Sequence, residues 1–154
     1  MFVNGKAIPG PLMDFSLHII HKYVLYNSLY SQDFQYDTIS SGRQLRKIHE
    51  CLYFYLSKLE DGAEASLWNK IFIYTELYFK WTIGTIKATV LIENVTAVFQ
   101  MNEILFALRD HIIGLNCGMW DYTASFIARF STKSSEFILP DRKKYINMTC
   151  PFLR

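Results

Sequence analysis

Thr82–Phe99, TIGTIKATVLIENVTAVF, is the most continuous apolar run of the chain, broken only by Lys87, Glu93 and Asn94. Ten of its residues are β-branched (Thr82, Ile83, Thr85, Ile86, Thr89, Val90, Ile92, Val95, Thr96 and Val98). Such side chains favour strands. Eighteen residues without a proline or a glycine pair exceed an ordinary strand, and length argues for a helix. Ile83, Ile86, Val90 and Ala97 keep helical spacing, and the opposite face is apolar too. A helix apolar on all sides is buried on all sides. The run is too short and too polar inside for a membrane span. The expected fold class is therefore all-α, with about six to eight helices around a central helix at about 82–99.

Outward from this run, Leu12, Phe15, Ile19, Tyr23 and Tyr26 predict a first helix from Leu12 to about Leu29. Thr38 to Ser41 offers caps for a second, with the stripe Leu45, Ile48, Leu52, Tyr55 or Leu56, and Leu59, ending at Glu60-Asp61-Gly62. A third, capped at Ser66, carries Leu67, Ile71, Tyr74, Leu77 and Tyr78. After a turn at Gln100–Asn102, Ile104, Leu105, Leu108, His111 and Ile112 predict another helix, which Gly114–Gly118 breaks. Trp120–Phe130 reads as a last short helix. The whole is expected to be one domain over 1–154, with an irregular leader (1–11) and a polar, basic tail (131–154).

Hydrophobic residues make up 51% and charged residues 19%, which argues against disorder. Sixteen Lys and Arg against fourteen Asp and Glu leave +2, too balanced for a dedicated nucleic-acid binder. Cys51, Cys117 and Cys150 are odd in number and lack CxxC spacing, which disfavours a zinc site or a closed disulfide framework. No secretory leader is visible, and a cytoplasmic protein without stable membrane insertion is the expectation.

No catalytic constellation stands out. His49-Glu50-Cys51 are adjacent on a predicted helix and do not face one another. His18 and His21 are at best half of a metal site. Gly114–Gly118 lacks GxGxxG spacing. Twelve Phe, ten Tyr and three Trp could line a groove for a partner helix as well as fill a core. No cofactor and no metal are expected, and the chain reads as a non-enzyme.

Several motifs resemble the Bcl-2 family. Ile19–Tyr26 (IIHKYVLY) is similar to its N-terminal homology segment, and Leu45-Arg46 to the start of its third. Glu76-Leu77-Tyr78 followed by Gly84-Thr85-Ile86 and Ala88 resembles the first segment; Asp110-His111 with Asn116–Asp121 (NCGMWD) resembles the second. The short Ser31–Asp37 connection looks like the homologues encoded by large DNA viruses.

The resemblance implies an anti-apoptotic protein that sequesters pro-apoptotic BH3 ligands in a hydrophobic groove of a host cell, recruited to mitochondria through partners. By position, the groove would be lined by Ile48, Leu52, Tyr55, Leu56, Ile73, Glu76, Leu77, Lys80, Gly84, Thr85, Lys87 and Ala88. Thr85 stands where the family has a ligand-pairing Arg, which implies a narrow ligand range, with Lys80 and Lys87 the nearest cations. Alternatives are a viral modulator of inflammatory signalling on the same fold, and a self-associating module in which Cys51 helps to pair two chains as a homodimer.

Overall fold

The structure, a computed structural model, describes residues 2–32, 52–147 and 149–153. The chain divides into two compact units, Met1–Glu50 and Cys51–Arg154. In the first, β1 (Phe2–Val3) and β2 (Lys6–Ala7) pair antiparallel across Asn4-Gly5. Both turn residues have positive φ, 51° and 75°, the backbone that favours Asn-Gly in a two-residue hairpin. Helix α1 (Gly10–Gln32) follows, with Phe15 and Ile19 buried on it.

The second unit alternates strand and helix. Its elements are β3 (Leu52–Leu56), α2 (Gly62–Tyr78), β4 (Ile86–Ile92), α3 (Val95–Val98), α4 (Met101–Ala107), β5 (Ile112–Cys117) and α5 (Met119–Phe130). Two 3-10 turns, Ser135–Phe137 and Pro151–Leu153, flank the short α6 (Arg142–Tyr145). The three long strands form one parallel sheet in chain order, β3-β4-β5. Leu52 is in register with Ile86 and Val90 with Leu115, and the β4–β5 register shifts once, between Ala88 and Thr89.

The all-α expectation fails at the run that supported it. Thr82–Phe99 is not one central helix. It is a turn, a seven-residue strand and a single helical turn. Gly84, at φ 89°, makes the turn into β4. Asn94 ends the extended backbone and caps α3, its Oδ1 accepting from the Thr96 N–H at 3.1 Å. The length of the run therefore belongs to two elements, and the β-branched composition describes the first. Ile86, Ala88, Val90 and Ile92 are buried and the residues between them half-buried, as expected for a parallel strand paired on both edges.

Other boundaries move for similar reasons. Leu52, Tyr55 and Leu56, expected on a second helix, lie on β3, while Leu45 and Ile48 fall outside the described residues. Glu60-Asp61-Gly62, expected to end a helix, begins one. The Asp61 side chain caps α2 by accepting from the Glu64 N–H at 2.9 Å, and Glu64 reaches back to the Glu60 N–H at 2.8 Å. Ile112 and the Gly114–Gly118 stretch, expected to end and break a helix, form β5 and its exit.

Helix α2 stops at a Schellman motif. Lys80 takes the left-handed conformation (φ 58°), its N–H donating to the Leu77 carbonyl at 3.2 Å, and the Trp81 N–H donates to the Glu76 carbonyl at 2.8 Å. The core lies between one face of the sheet and the helices: Phe72 of α2 stacks on Phe54 of β3 at 6.0 Å, over buried Ile86, Val90, Ile104 and Leu108. Each such side chain removed from water contributes about 1.5–3 kcal/mol. On the other face Tyr53 and Tyr55 are 66% and 54% exposed.

Candidate active site at the carboxyl ends of the strands

Polar groups gather at both ends of the sheet, and the two ends differ in character. At the amino ends Glu76, on the last turns of α2, is fully buried. Its carboxylate accepts from the N–H of Gly84 (3.1 Å) and of Ile86 (2.7 Å), and lies 3.1 Å from Nε2 of His111, just before β5. The other ring nitrogen of His111 is 2.7 Å from Asn69 Oδ1. The pair ties α2, the turn before β4 and the start of β5 together. With both side chains closed to solvent, it serves the architecture.

At the carboxyl ends, three successive strand exits supply one charged group each. Lys58 follows β3, Glu93 follows β4, and Asp121 lies in the first turn of α5 after β5. Lys58 has a left-handed backbone (φ 59°), unusual for a side chain with a Cβ. That conformation turns its N–H onto Glu93 Oε1 at 2.7 Å, while its ammonium reaches Asp121 Oδ1 at 2.8 Å and lies 3.9 Å from Glu93 Oε1. The Glu93 side chain is 4% exposed and that of Asp121 55%, so one carboxylate is built in and the other faces water. The Lys58 ammonium, hydrogen-bonded to Asp121, holds that carboxyl below its ordinary 3.8; Asp121 in turn raises Lys58 above its ordinary 10.5.

Gly118 leaves the room this needs. A Cβ there would sit 2.5 Å from the Glu93 Cβ and 2.9 Å from its Oε2. The Gly118 N–H donates to the Ile92 carbonyl at 3.0 Å, which fixes the exit of β5 against that of β4.

The donor set is hard oxygen, two carboxylates from neighbouring strand ends around a cation. That fits a divalent ion of the magnesium kind, which takes one or two carboxylates and fills its remaining positions with water and substrate oxygen. Among the described residues no group of three or more His, Cys, Asp or Glu side chains gathers as a metal site.

The groove residues expected from sequence are spread over the unit. Leu52, Tyr55 and Leu56 lie on β3; Ile73, Glu76 and Leu77 on α2; Lys87 and Ala88 on β4; Ile48 is outside the described residues. Glu76 and Gly84 do meet, through the carboxylate described above. Leu52 meets Thr85, its N–H donating to the Thr85 carbonyl at 3.0 Å. Lys87 Nζ lies 3.3 Å from the Asp110 carbonyl. Leu77 and Tyr55 are exposed, Leu56 and Ala88 buried, and Lys80 closes α2. Lys58 and Glu93 carry no functional expectation from sequence, and Gly118 and Asp121 enter there only as parts of the Asn116–Asp121 motif. The available signal was an apolar β-branched run ending in an acid, IKATVLIE, followed by a second apolar run ending in GMWD.

Parallel strands in chain order, each followed by a helix, with charged groups at their carboxyl ends, are the α/β arrangement shared by barrels and doubly wound sheets. The description "Malate synthase, TIM barrel domain" matches residues 1–154. The chain is 45% identical over 150 residues to malate synthase A of Escherichia coli (strain K12), covering 97% of this chain and 24% of that protein. It is 42% identical over 151 residues to malate synthase of Dictyostelium discoideum, covering 98% and 24%. A bifunctional glyoxylate cycle protein of Caenorhabditis elegans is 42% identical over 154 residues, 14% of its own length. The chain belongs to the malate synthase TIM-barrel family, and it spans about a quarter of the length of most of the curated relatives it matches.

This overturns the Bcl-2 resemblance and what followed from it: the apoptotic role, the BH3 partners, the viral setting and the reading as a non-enzyme. The motifs behind the resemblance were short and common, and the structure uses them otherwise. Asn116–Asp121 is a strand-to-helix exit, and Gly84-Thr85-Ile86 is the entry to a strand.

Proposed function

We propose that this chain carries part of the active site of a malate synthase, with Glu93 and Asp121 as the carboxylates that hold a divalent cation. The observation behind this reading is the convergence of both carboxylates on one ammonium at the carboxyl ends of successive barrel strands, where barrel enzymes keep their chemistry.

The reaction follows from carbon count. Malate is a four-carbon 2-hydroxydiacid. Glyoxylate supplies an aldehyde and a carboxylate, so the other two carbons arrive as an activated acetyl group. The acetyl methyl gives up a proton, and its carbon bonds to the aldehyde carbon. The carbonyl electron pair takes a proton and becomes the hydroxyl, and hydrolysis removes the activating thiol. Glu93 and Asp121 would hold the cation, which when bound would supply a Lewis acid for the 2-oxo acid. The chain's own contribution is positional. Glu93 is locked by burial and by the Lys58 N–H, Asp121 stays open to solvent on the substrate side, and Gly118 keeps both exits close.

The test is an assay of the intact protein with glyoxylate, acetyl-coenzyme A and Mg2+. The expected result is thiol release that depends on glyoxylate, malate detected by mass spectrometry, and loss of both with a chelator or with Glu93→Ala. Absence of malate under these conditions, from a folded protein, overturns the reading.

A further inference from the structure

Lys58 meets the acidic pair twice. Its N–H is spent on Glu93 and its ammonium on Asp121, and the residue that makes both contacts has a left-handed backbone despite its Cβ. A clamp alone would need only the N–H. The ammonium adds a unit positive charge where the donor set calls for a cation, 2.8 Å from one carboxylate and 3.9 Å from the other. Two carboxylates brought together by the folding of separate strands repel one another, and a counter-charge relieves that repulsion whether or not a metal is present.

We propose that Lys58 is a resident counter-cation: its ammonium holds the Glu93–Asp121 pair together in the metal-free protein and is displaced when a divalent cation binds between them. The inference rests on the reading of the pair as a cation site. It makes Lys58 a positioning residue whose charge opposes metal binding while its backbone N–H supports it. Its side chain is 65% exposed, which gives the displaced ammonium a free path to water. The protein then trades metal affinity for a site that stays assembled before the metal arrives.

The test separates side chain from backbone. Lys58→Gly fits the left-handed conformation and keeps the N–H to Glu93, as does Lys58→Asn, which tolerates the same φ. Each variant and the wild type are titrated with Mn2+ by calorimetry, and their melting temperatures are recorded without and with Mn2+. Both variants are expected to bind Mn2+ roughly three- to thirtyfold more tightly than wild type, to melt lower without metal, and to gain more on adding it. Lys58→Arg, which keeps the charge, stays near wild type. In the wild type, Mn2+ is expected to raise the rate at which Lys58 is acylated by an amine-reactive ester, read by peptide mass spectrometry. Equal or weaker Mn2+ binding by both Lys58→Gly and Lys58→Asn overturns the inference while leaving the cation site intact. Failure of the wild type and every variant to bind Mn2+ overturns the cation-site reading and the inference with it.

Discussion

Nε2 of His111 lies 3.1 Å from Oε2 of Glu76, with both side chains sealed from solvent at the amino ends of β4 and β5. A carboxylate in that position is tolerable because two backbone N–H groups and a ring nitrogen converge on it. Replacing His111 by Leu removes one of them and leaves Asn69 without its partner. The expected loss is roughly 3–5 kcal/mol of unfolding free energy, read from the urea midpoint at constant slope. A loss below about 1 kcal/mol, the size of an average substitution, would mean that the pair adds nothing to the assembly of the sheet.

The two carboxylates at the other end should separate function from stability. Removing either as Glu93→Ala or Asp121→Ala is expected to weaken Mn2+ binding by more than the ~10–100-fold that loss of a supporting partner causes. Only Glu93→Ala should also lower the melting temperature, because it leaves the Lys58 N–H unpaired in a closed site. Calorimetry and thermal melts on the same samples check both halves. Equal destabilisation by the two variants would contradict the difference in burial.

Gly118→Ala tests the close approach of the β4 and β5 exits. Its Cβ would meet the Glu93 Cβ at 2.5 Å, and backbone on both sides leaves little room to yield. The expected cost is about 1–3 kcal/mol, as for other overpacked sites, together with weaker Mn2+ binding as Glu93 is pushed aside. Wild-type stability and affinity in this variant would show that the exits are free to move apart.

Asp61→Ala addresses the start of α2. The cap accepts one N–H at 2.9 Å at the start of the helix. A loss of ~1 kcal/mol is expected, with Asp61→Asn close to wild type, both measured by denaturant unfolding. Similar losses in the two variants would point to the charge rather than the cap.

Much of the local structure could be read from sequence, and the fold class could not. The apolar spacing from Leu12 and that of Trp120–Phe130 lie on α1 and α5. In Thr82–Phe99 composition and length point to different elements: the β-branched residues mark β4, and the length spans both β4 and α3. Asn94 was the mark of a boundary: it is a capping residue in the middle of an apolar run, and Glu93 beside it is a charge that a buried helix would not carry unpaired. The period of two is present in Ile86, Ala88, Val90 and Ile92, with Lys87 and Thr89 between them, but Ile86 and Val90 are also four apart and fit a helical face equally well. The site was harder still. Lys58, Glu93 and Asp121 lie far apart in sequence, and only parallel pairing in chain order brings their strand exits together.

That pairing order also sets a schedule. Each strand of the sheet bonds to the one made next, so a ribosome delivers the pieces in the sequence in which they fit. Lys58 emerges first and Glu93 second, and those two can settle against each other before β5 exists. Asp121, on the solvent side, arrives third of the three. A nascent chain stalled after β4 would therefore hold Glu93 already within reach of the Lys58 N–H, while the glycine that closes over Glu93 and the second carboxylate of the pair wait for β5 and α5.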